Sequence, residues 1–323
     1  MTEALERIRQ AVREHEDFLL VAHQDADADS LGSVLAFADY LVRSGKRAYP
    51  WAPDPLPRSL SYLPGYESVN HKDAPPEAVA IAFDAGSPSR FGNLRSRIEA
   101  APLTVVIDHH ASNDGFGDIS LVQPEAAATG AIVFEALRDW GVAISSEAAT
   151  NLYAAIFTDT GGFRHDNTTA LVLRLGAELA ELGADPGWVA LRSYKSRPES
   201  TLRLQALSSA AATYELQSRL VWSEVTADML RQSGAEMEES EGIIDILQSL
   251  DTMLCAVLFK EVAPALTRVS VRTRVPIEAH HLVATFGGGG HRRAAGAEVR
   301  GALGEVEAAV LVEARRSVGA VPL

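Results

Sequence analysis

The sequence is poor in several things, and each shortage excludes a class of protein. Its single cysteine, Cys255, rules out an internal disulfide framework and any thiolate-built metal cluster within one chain. It also suits a reducing, cytoplasmic setting. No apolar run approaches the length needed to span a bilayer, so no membrane partner is expected. The first 18 residues, MTEALERIRQAVREHEDF, are charged and helical in pattern, so they read neither as a secretory signal nor as a transit peptide. Cations are scarce as well. Twenty-nine Lys and Arg against 43 Asp and Glu give a formal net charge of −14, which argues against coating long nucleic acid. A small phosphorylated substrate stays open, because a local cluster of cations or metals can outweigh the global sign. There is no internal repeat, and the low-complexity tract is a run of four glycines.

What is present describes a folded α/β chain. The composition is 47% hydrophobic and 22% charged, and 323 residues suit one large domain or two ordinary ones. The segments DFLLVAH, AVAIAFDAG and LTVVIDHH read as buried strands. SLGSVLAFADYLVRSGK, AATGAIVFEALRDWG and SSEAATNLYAAIFTDTGG read as helices, the first closed by Gly45. Such alternation predicts a parallel sheet with helices on both faces over residues 1–185. Residues 186–215, punctuated by Pro186 and Pro198, read as a helical linker. Residues 216–323 read as a smaller α/β domain. Its strand candidates are YELQSRLVWSEV, TMLCAVLFKEV and LTRVSVRTRV, and its helix candidates are ESEGIIDILQSL and IEAHHLVATF.

The polar clusters fall where ligands gather in such sheets, at the carboxyl ends of strands. His23, Asp25, Asp27 and Asp29 follow the first strand. Asp84 ends the second, and Asp108, His109 and His110 end the third. Asp159, in IFTDTGGF, follows a helix-like run and could reach the same edge. Simpler readings exist for each group alone. Asp29 or Ser30 could cap the helix starting near Leu31, and Asp84 and Asp159, each in a turn-forming context, could be turn formers. Three carboxylates and a histidine together exceed what capping needs. Without compensation they would repel one another and raise each other's pKa. Imidazole plus carboxylate, without thiolate, suits Mn²⁺, with Mg²⁺ or Co²⁺ less selectively. The donor count exceeds one octahedral ion. Two ions roughly 3.5–4 Å apart can clamp a phosphoryl group during in-line attack.

In the second half, FGGGGHRRAAG combines Gly287, Gly288, Gly289 and Gly290 with His291, Arg292 and Arg293. Successive backbone N–H groups of such a loop can hold an anion. Arg272 and Arg274, two apart, would share a strand face. Residues 268–293 hold five arginines against one acid, Glu278, in an acidic chain. The pattern fits either a flexible glycine loop beside a solvated basic strand face or a phosphate and base clamp facing the metals across a cleft between the domains, and the family resemblance below favours the clamp. The second histidine pair, His280 and His281, reads as structural or solvent-facing.

HQDADADSLGS, FDAGSPSRFG, VIDHHASN and YAAIFTDTGGF resemble, in order, the four motifs of the DHH phosphoesterases. VSVRTR followed by FGGGGHRRAAG resembles the DHHA1 domain of their RecJ-like and nanoRNase branch. The resemblance covers nearly the whole chain. It implies two metal ions, usually manganese. His23 and Asp27 would hold the first, Asp29, His109 and Asp159 the second, and Asp84 would bridge them. It further implies that His110 contacts phosphate or assists proton transfer, that Asp108 orients the histidines, and that the glycine loop binds the end of the substrate opposite the scissile phosphate. Arg90 could reach the phosphate or lie on a helix surface, and Phe163 and Arg164 could line the pocket. Asp25 and Ala26 stand where relatives often carry Asn and Pro, and Asp25 is not counted as a ligand. The length leaves no room for the OB-like module of long exonucleases, so short single-stranded oligonucleotides, RNA or DNA, and nucleotide phosphates such as 3′-phosphoadenosine 5′-phosphate are the expected partners. A cyclic or linear dinucleotide phosphodiesterase is the nearest alternative, with a non-catalytic nucleotide-binding protein behind it, and a homodimer is expected by analogy.

Overall fold

The computed structural model describes residues 3–53 and 55–322. The chain divides into two compact units, residues 1–196 and 197–323. The first unit is built on strands β1 (Asp17–Val21), β2 (Arg47–Trp51), β3 (Val79–Phe83), β4 (Thr104–Asp108) and β5 (Ile119–Val122). They are all parallel, in the order β2-β1-β3-β4-β5. Every residue of β1 and β3 is buried, as a sheet covered on both faces requires.

The helices of this unit are α1 (Glu3–Glu14), α2 (Ala28–Arg43), α3 (Arg95–Glu99), α4 (Thr129–Asp139), α5 (Ser146–Asp159), α6 (Ala170–Glu181) and α7 (Pro186–Ala190). Alternating strand residues feed two cores. Phe18, Leu20, Ile81, Phe83, Val105 and Ile107 face the thick layer of α1, α2, α4, α5 and α6. Leu19, Val21, Ala80, Ala82 and Val106 face a thinner layer made by Phe91, Leu94 and Ile98. The helix α1 buries Leu5, Ile8 and Val12, an i, i+3, i+7 stripe. The edge position of β2 accommodates Pro50, which has no N–H for a ladder.

The second unit contains α8 (Glu199–Ala210), β6 (Thr213–Glu215), β7 (Leu220–Val225), α9 (Ala227–Ser233), α10 (Ile243–Gln248), β8 (Cys255–Ala263), β9 (Leu266–Thr273), α11 (Ala279–Ala284), β10 (Gly289–Gly290), β11 (Ala294–Arg300) and α12 (Leu303–Gly319). The sheet order is β10-β11-β9-β8-β7-β6, and only the β7–β8 pair is parallel. One face packs Ala256 and Leu258 with Leu204, Ile243, Ile244 and Leu247. The other packs Val257, Phe259, Val269 and Val271 with Leu282, Val283, Val306 and Val310.

Three details depart from the sequence reading. YELQSRLVWSEV is two antiparallel strands, because Leu216, Gln217 and Ser218 all adopt positive φ and reverse the chain. The helix α8, expected in a linker, lies within the second unit. Strands β2, β5, β10 and β11 and helices α3, α6, α9 and α12 lie in segments to which the sequence reading assigns no such element. Among the described residues, no helix is long and apolar enough to cross a membrane.

Candidate metal centre

The ends of β1, β3 and β4 are neighbours in the sheet, so their following residues emerge side by side. After β1, Asp25 takes φ 57°, a left-handed conformation that Asp tolerates better than most residues. The chain then turns into α2. Asp27, rather than Asp29 or Ser30, is the N-cap, and its Oδ1 accepts the Ser30 N–H at 2.9 Å. Its other oxygen lies 3.7 Å from His23 Nε2. Asp27 therefore caps a helix and faces the cluster at once, a combination the sequence reading treated as alternatives.

Asp84 occupies the middle. It is 3% exposed and has φ 58°. Its Oδ2 is 3.5 Å from His23 Nε2, and its Oδ1 is 3.4 Å from His109 Nε2. Asp29, also buried, brings Oδ2 to 3.8 Å from His109 Nε2. Asp159, the last residue of α5, brings Oδ2 to 3.5 Å from the same nitrogen. Donor atoms of His23, Asp27 and Asp84 lie within 4.8 Å of one another, and so do those of Asp29, Asp84 and His109. Asp84 belongs to both groups.

The two histidines are held alike. His23 Nδ1 is 2.8 Å from the Gln24 carbonyl and His109 Nδ1 is 3.2 Å from the Ala126 carbonyl. A carbonyl oxygen only accepts, so each ring turns Nδ1 to the main chain as a donor and is thereby oriented with Nε2 toward the carboxylates. Arg90 also donates to the Gln24 carbonyl, at 3.1 Å. The same nitrogen lies 3.2 Å from His23 Nδ1, so it is committed to the turn behind His23, a local role beside the phosphate contact and helix-surface position that the sequence offered as alternatives.

Asp108 is fully buried. Its Oδ1 accepts the main-chain N–H groups of His109 and His110, and lies 2.8 Å from His110 Nδ1. Its Oδ2 accepts from Asn113 Nδ2 at 2.7 Å, and the same nitrogen donates to the Ala85 carbonyl at 3.0 Å. Asn113 thereby ties the β3 end to the β4 end. It lies in VIDHHASN, but nothing in its spacing pointed to that role. Asn167 does similar work, donating to the carbonyls of Ala127 and Asp159 at 3.2 Å each.

Electrostatics supplies the test of whether cations fit here. Burial disfavours charge on His23, yet Asp27 and Asp84 outweigh it and push the ring up to about 10. For His109 burial is likewise outweighed, here by Asp84, Asp159 and Asp29, and the ring is pushed up to about 11. Burial, Asp84 and Asp159 drive the Asp29 carboxyl well above its ordinary range. Burial, together with Asp84 and Asp27 and against the pull of His109, lifts Asp159 to about 7. Asp84 goes the other way: burial is overcome by His109 and His23. The cluster holds more negative charge than its own groups neutralise. Protons are drawn into positions where divalent cations fit, and the oxygen and imidazole donors suit ions of the manganese class.

In the second unit, Gly289, Gly290, His291 and Arg292 are exposed. A Cβ on Gly288 would lie 2.4 Å from the Gly296 carbonyl, so this glycine is required by the approach of β10 to β11. Gly289 has open space around it, and no packing demand explains it. Arg272 lies on β9, with Nε 3.9 Å from Asp245. Arg274 does not share that strand face. It follows the end of β9, and its guanidinium donates to the carbonyls of Asp251 and Gln248 at 2.7 and 3.1 Å. Arg292 pairs with Glu278, and Arg293 donates to the Ile277 carbonyl at 2.5 Å. Several members of the basic cluster are therefore committed locally, leaving fewer guanidinium N–H groups to meet a phosphate than the number of arginines suggested.

Comparison with known proteins gives the same domain order. Residues 17–156 match the DHH family N-terminal domain, and residues 219–316 match the DHHA1 domain. The chain is 34% identical over 284 residues to a bifunctional oligoribonuclease and PAP phosphatase NrnA of Thermus thermophilus, covering 87% of this chain and 84% of the relative. It is 27% identical over 196 residues to a manganese-dependent inorganic pyrophosphatase of Methanothrix thermoacetophila, covering 57% of this chain and 60% of the relative. A solved structure, an exopolyphosphatase-related protein from Bacteroides fragilis, superposes with a TM-score of 0.87 at 22% identity, covering 99% of this chain and 98% of that one.

Proposed function

The chain belongs to the DHH family, carries a DHHA1 domain and is by that membership a hydrolase of phosphoester bonds; we propose that it shortens oligonucleotides of a few residues to mononucleotides and also dephosphorylates 3′-phosphoadenosine 5′-phosphate. The observation that carries a two-ion chemistry is the pair of imidazole Nε2 atoms on either side of Asp84, each ring anchored through Nδ1 to a main-chain carbonyl. His23, Asp27 and Asp84 would hold one ion, and Asp84, Asp29, His109 and Asp159 the other. Manganese is the ion we propose, from the donor set and from the name of the pyrophosphatase relative.

Such ions, when bound, supply Lewis acidity at the phosphoryl oxygens and neutralise the charge that develops there. The chain's own residues do the rest. Asp108 accepts from His110 Nδ1 and fixes the ring, leaving Nε2 as the nitrogen able to hold or give a proton at the leaving oxygen. Asn113 holds Asp108 in turn. Gly289, Gly290 and His291, with Arg272, would position the nucleotide portion remote from the scissile bond, which raises the rate by orientation.

The test is a manganese-dependent assay over a dinucleotide, a five-residue RNA, 3′-phosphoadenosine 5′-phosphate, cyclic di-AMP and pyrophosphate. We expect mononucleotide release from the two short RNAs and phosphate release from the bisphosphate. Turnover of pyrophosphate or cyclic di-AMP alone would overturn the substrate assignment.

A further inference from the structure

Asp29 and Asp84 come from different strand ends, yet both meet the first turn of α4. Asp29 Oδ2 accepts the Thr129 N–H at 2.7 Å, and Oδ1 accepts the Gly130 N–H at 2.8 Å. Asp84 Oδ1 accepts the Thr129 hydroxyl at 2.9 Å. Thr129 is fully buried. The N-cap position of α4 is Ala128, which has no side-chain acceptor, so the open amides of this helix are served by a carboxylate 100 residues away. Those amides and the helix dipole favour a charged acceptor. Accepting one amide on each oxygen, the Asp29 carboxyl is fixed about its last torsion.

The contacts of Thr129 are lopsided. The oxygens it touches, Asp29 Oδ2 and Asp84 Oδ1, are those that approach His109 Nε2, at 3.8 and 3.4 Å. The oxygens that approach His23 Nε2 are Asp84 Oδ2 and Asp27 Oδ2. The single hydroxyl proton of Thr129 is committed to Oδ1 of Asp84. The turn itself is pressed onto α5. A Cβ on Gly130 would lie 2.5 Å from Ala155 Cβ and 3.3 Å from Asp29 Oδ1. Asp159 ends that same α5.

We infer that Thr129 is a positioning residue for one half of the centre. It aligns the carboxylates that serve the Asp29–His109–Asp159 half and leaves the His23–Asp27 half to be organised by the α2 cap. The inference rests on the two-ion reading above. A buried carboxylate without these donors would turn about its last torsion, and each orientation lost on ion binding would weaken the site. Groups that orient ligands in this way typically change affinity by about 10- to 100-fold.

The experiment is a Mn²⁺ titration of metal-free protein, followed by calorimetry and by the electron paramagnetic resonance signal of free Mn²⁺. The variants are Thr129→Val, which keeps the shape and removes the hydroxyl, and Thr129→Ser, which restores the donor. The unmodified protein is expected to take up two ions. Thr129→Val removes the bond to Asp84 Oδ1 and leaves the main-chain donors to Asp29 in place, so it should bind the ion of the Asp29–His109–Asp159 half about 10- to 100-fold more weakly and the other ion, which also uses Asp84, with a clearly smaller loss. Thr129→Ser should recover the second site. With chelator present, the melting temperatures of all three should agree within a few degrees. Equal weakening of both sites, or two-ion binding by Thr129→Val indistinguishable from the unmodified protein, would overturn the inference while leaving the two-ion reading in place. Uptake of fewer than two ions by the unmodified protein would instead overturn that reading, and the inference with it.

Discussion

The two units treat their polar groups in opposite ways. In the first, His23, Asp29, Asp84, Asp108 and His109 are all at most 6% exposed, and each makes at least one hydrogen bond. In the second, Gly289, Gly290, His291 and Arg292 are exposed, and Arg272 and Arg293 are half-buried. The contrast matches two demands. Groups that act on developing charge gain from being fixed before reaction, because no reorganisation is then needed. Groups that hold the variable part of a substrate gain from remaining accessible and adjustable.

Each prediction tests one side of that contrast. The largest effect is expected at Asp84, the carboxylate shared by the two groups of candidate metal donors around His23 and His109. Asp84→Ala should lower manganese-dependent hydrolysis of a five-residue RNA by at least about 10³-fold, since metal stabilisation of the transition state is worth several kcal/mol. Near-normal turnover by that variant would mean the buried groups are not the reacting centre. Smaller, and different in kind, is the effect of Arg272→Ala or His291→Ala. Either should raise KM by about 10-fold while Mn²⁺ affinity in a direct titration stays unchanged. Unaltered kinetics on short oligonucleotides would remove these residues from substrate recognition.

A weaker perturbation is Glu278→Gln, which releases Arg292 from an exposed pair. Exposed pairs contribute little to stability, so the melting temperature should move by no more than about 4 °C. A larger fall would show that the second unit is as interlocked as the first. Least perturbing is a probe of Cys255. Burial raises its thiol to about 12, so the folded protein keeps it neutral at pH 8. Iodoacetamide should label it only after unfolding, as read by mass spectrometry. Because the folded thiol ionises later than the unfolded one, stability is unaffected below the unfolded value near 9 and declines as pH rises beyond it.

Much of the first unit was legible in the sequence. Three apolar runs, each ending in Asp or His, define strands, and the sheet rule places their ends together. The identity of the clustered side chains followed from that. The supports of the cluster did not. Nothing in HQDADADSLGS indicates that Asp29 caps a helix beginning at Thr129, or that the Ala126 carbonyl fixes His109. Such links join segments by tertiary approach and leave no periodicity. The second unit was less legible for a related reason. Counting arginines gave a cationic patch, but charge in a sequence does not reveal which guanidinium is already taken by a main-chain carbonyl, as in Arg274 and Arg293. The reversal at Leu216–Ser218 was hidden because none of its three residues is a glycine.

The common anchoring of His23 and His109 on main-chain oxygens has one further consequence. Neither imidazole needs to flip or change tautomer when the occupant of the cavity changes. Exchange of one divalent ion for another should therefore be governed by ionic radius and the ease of shedding hydration water, with the protein acting as a fixed mould and the relative supply of ions deciding which one fills it.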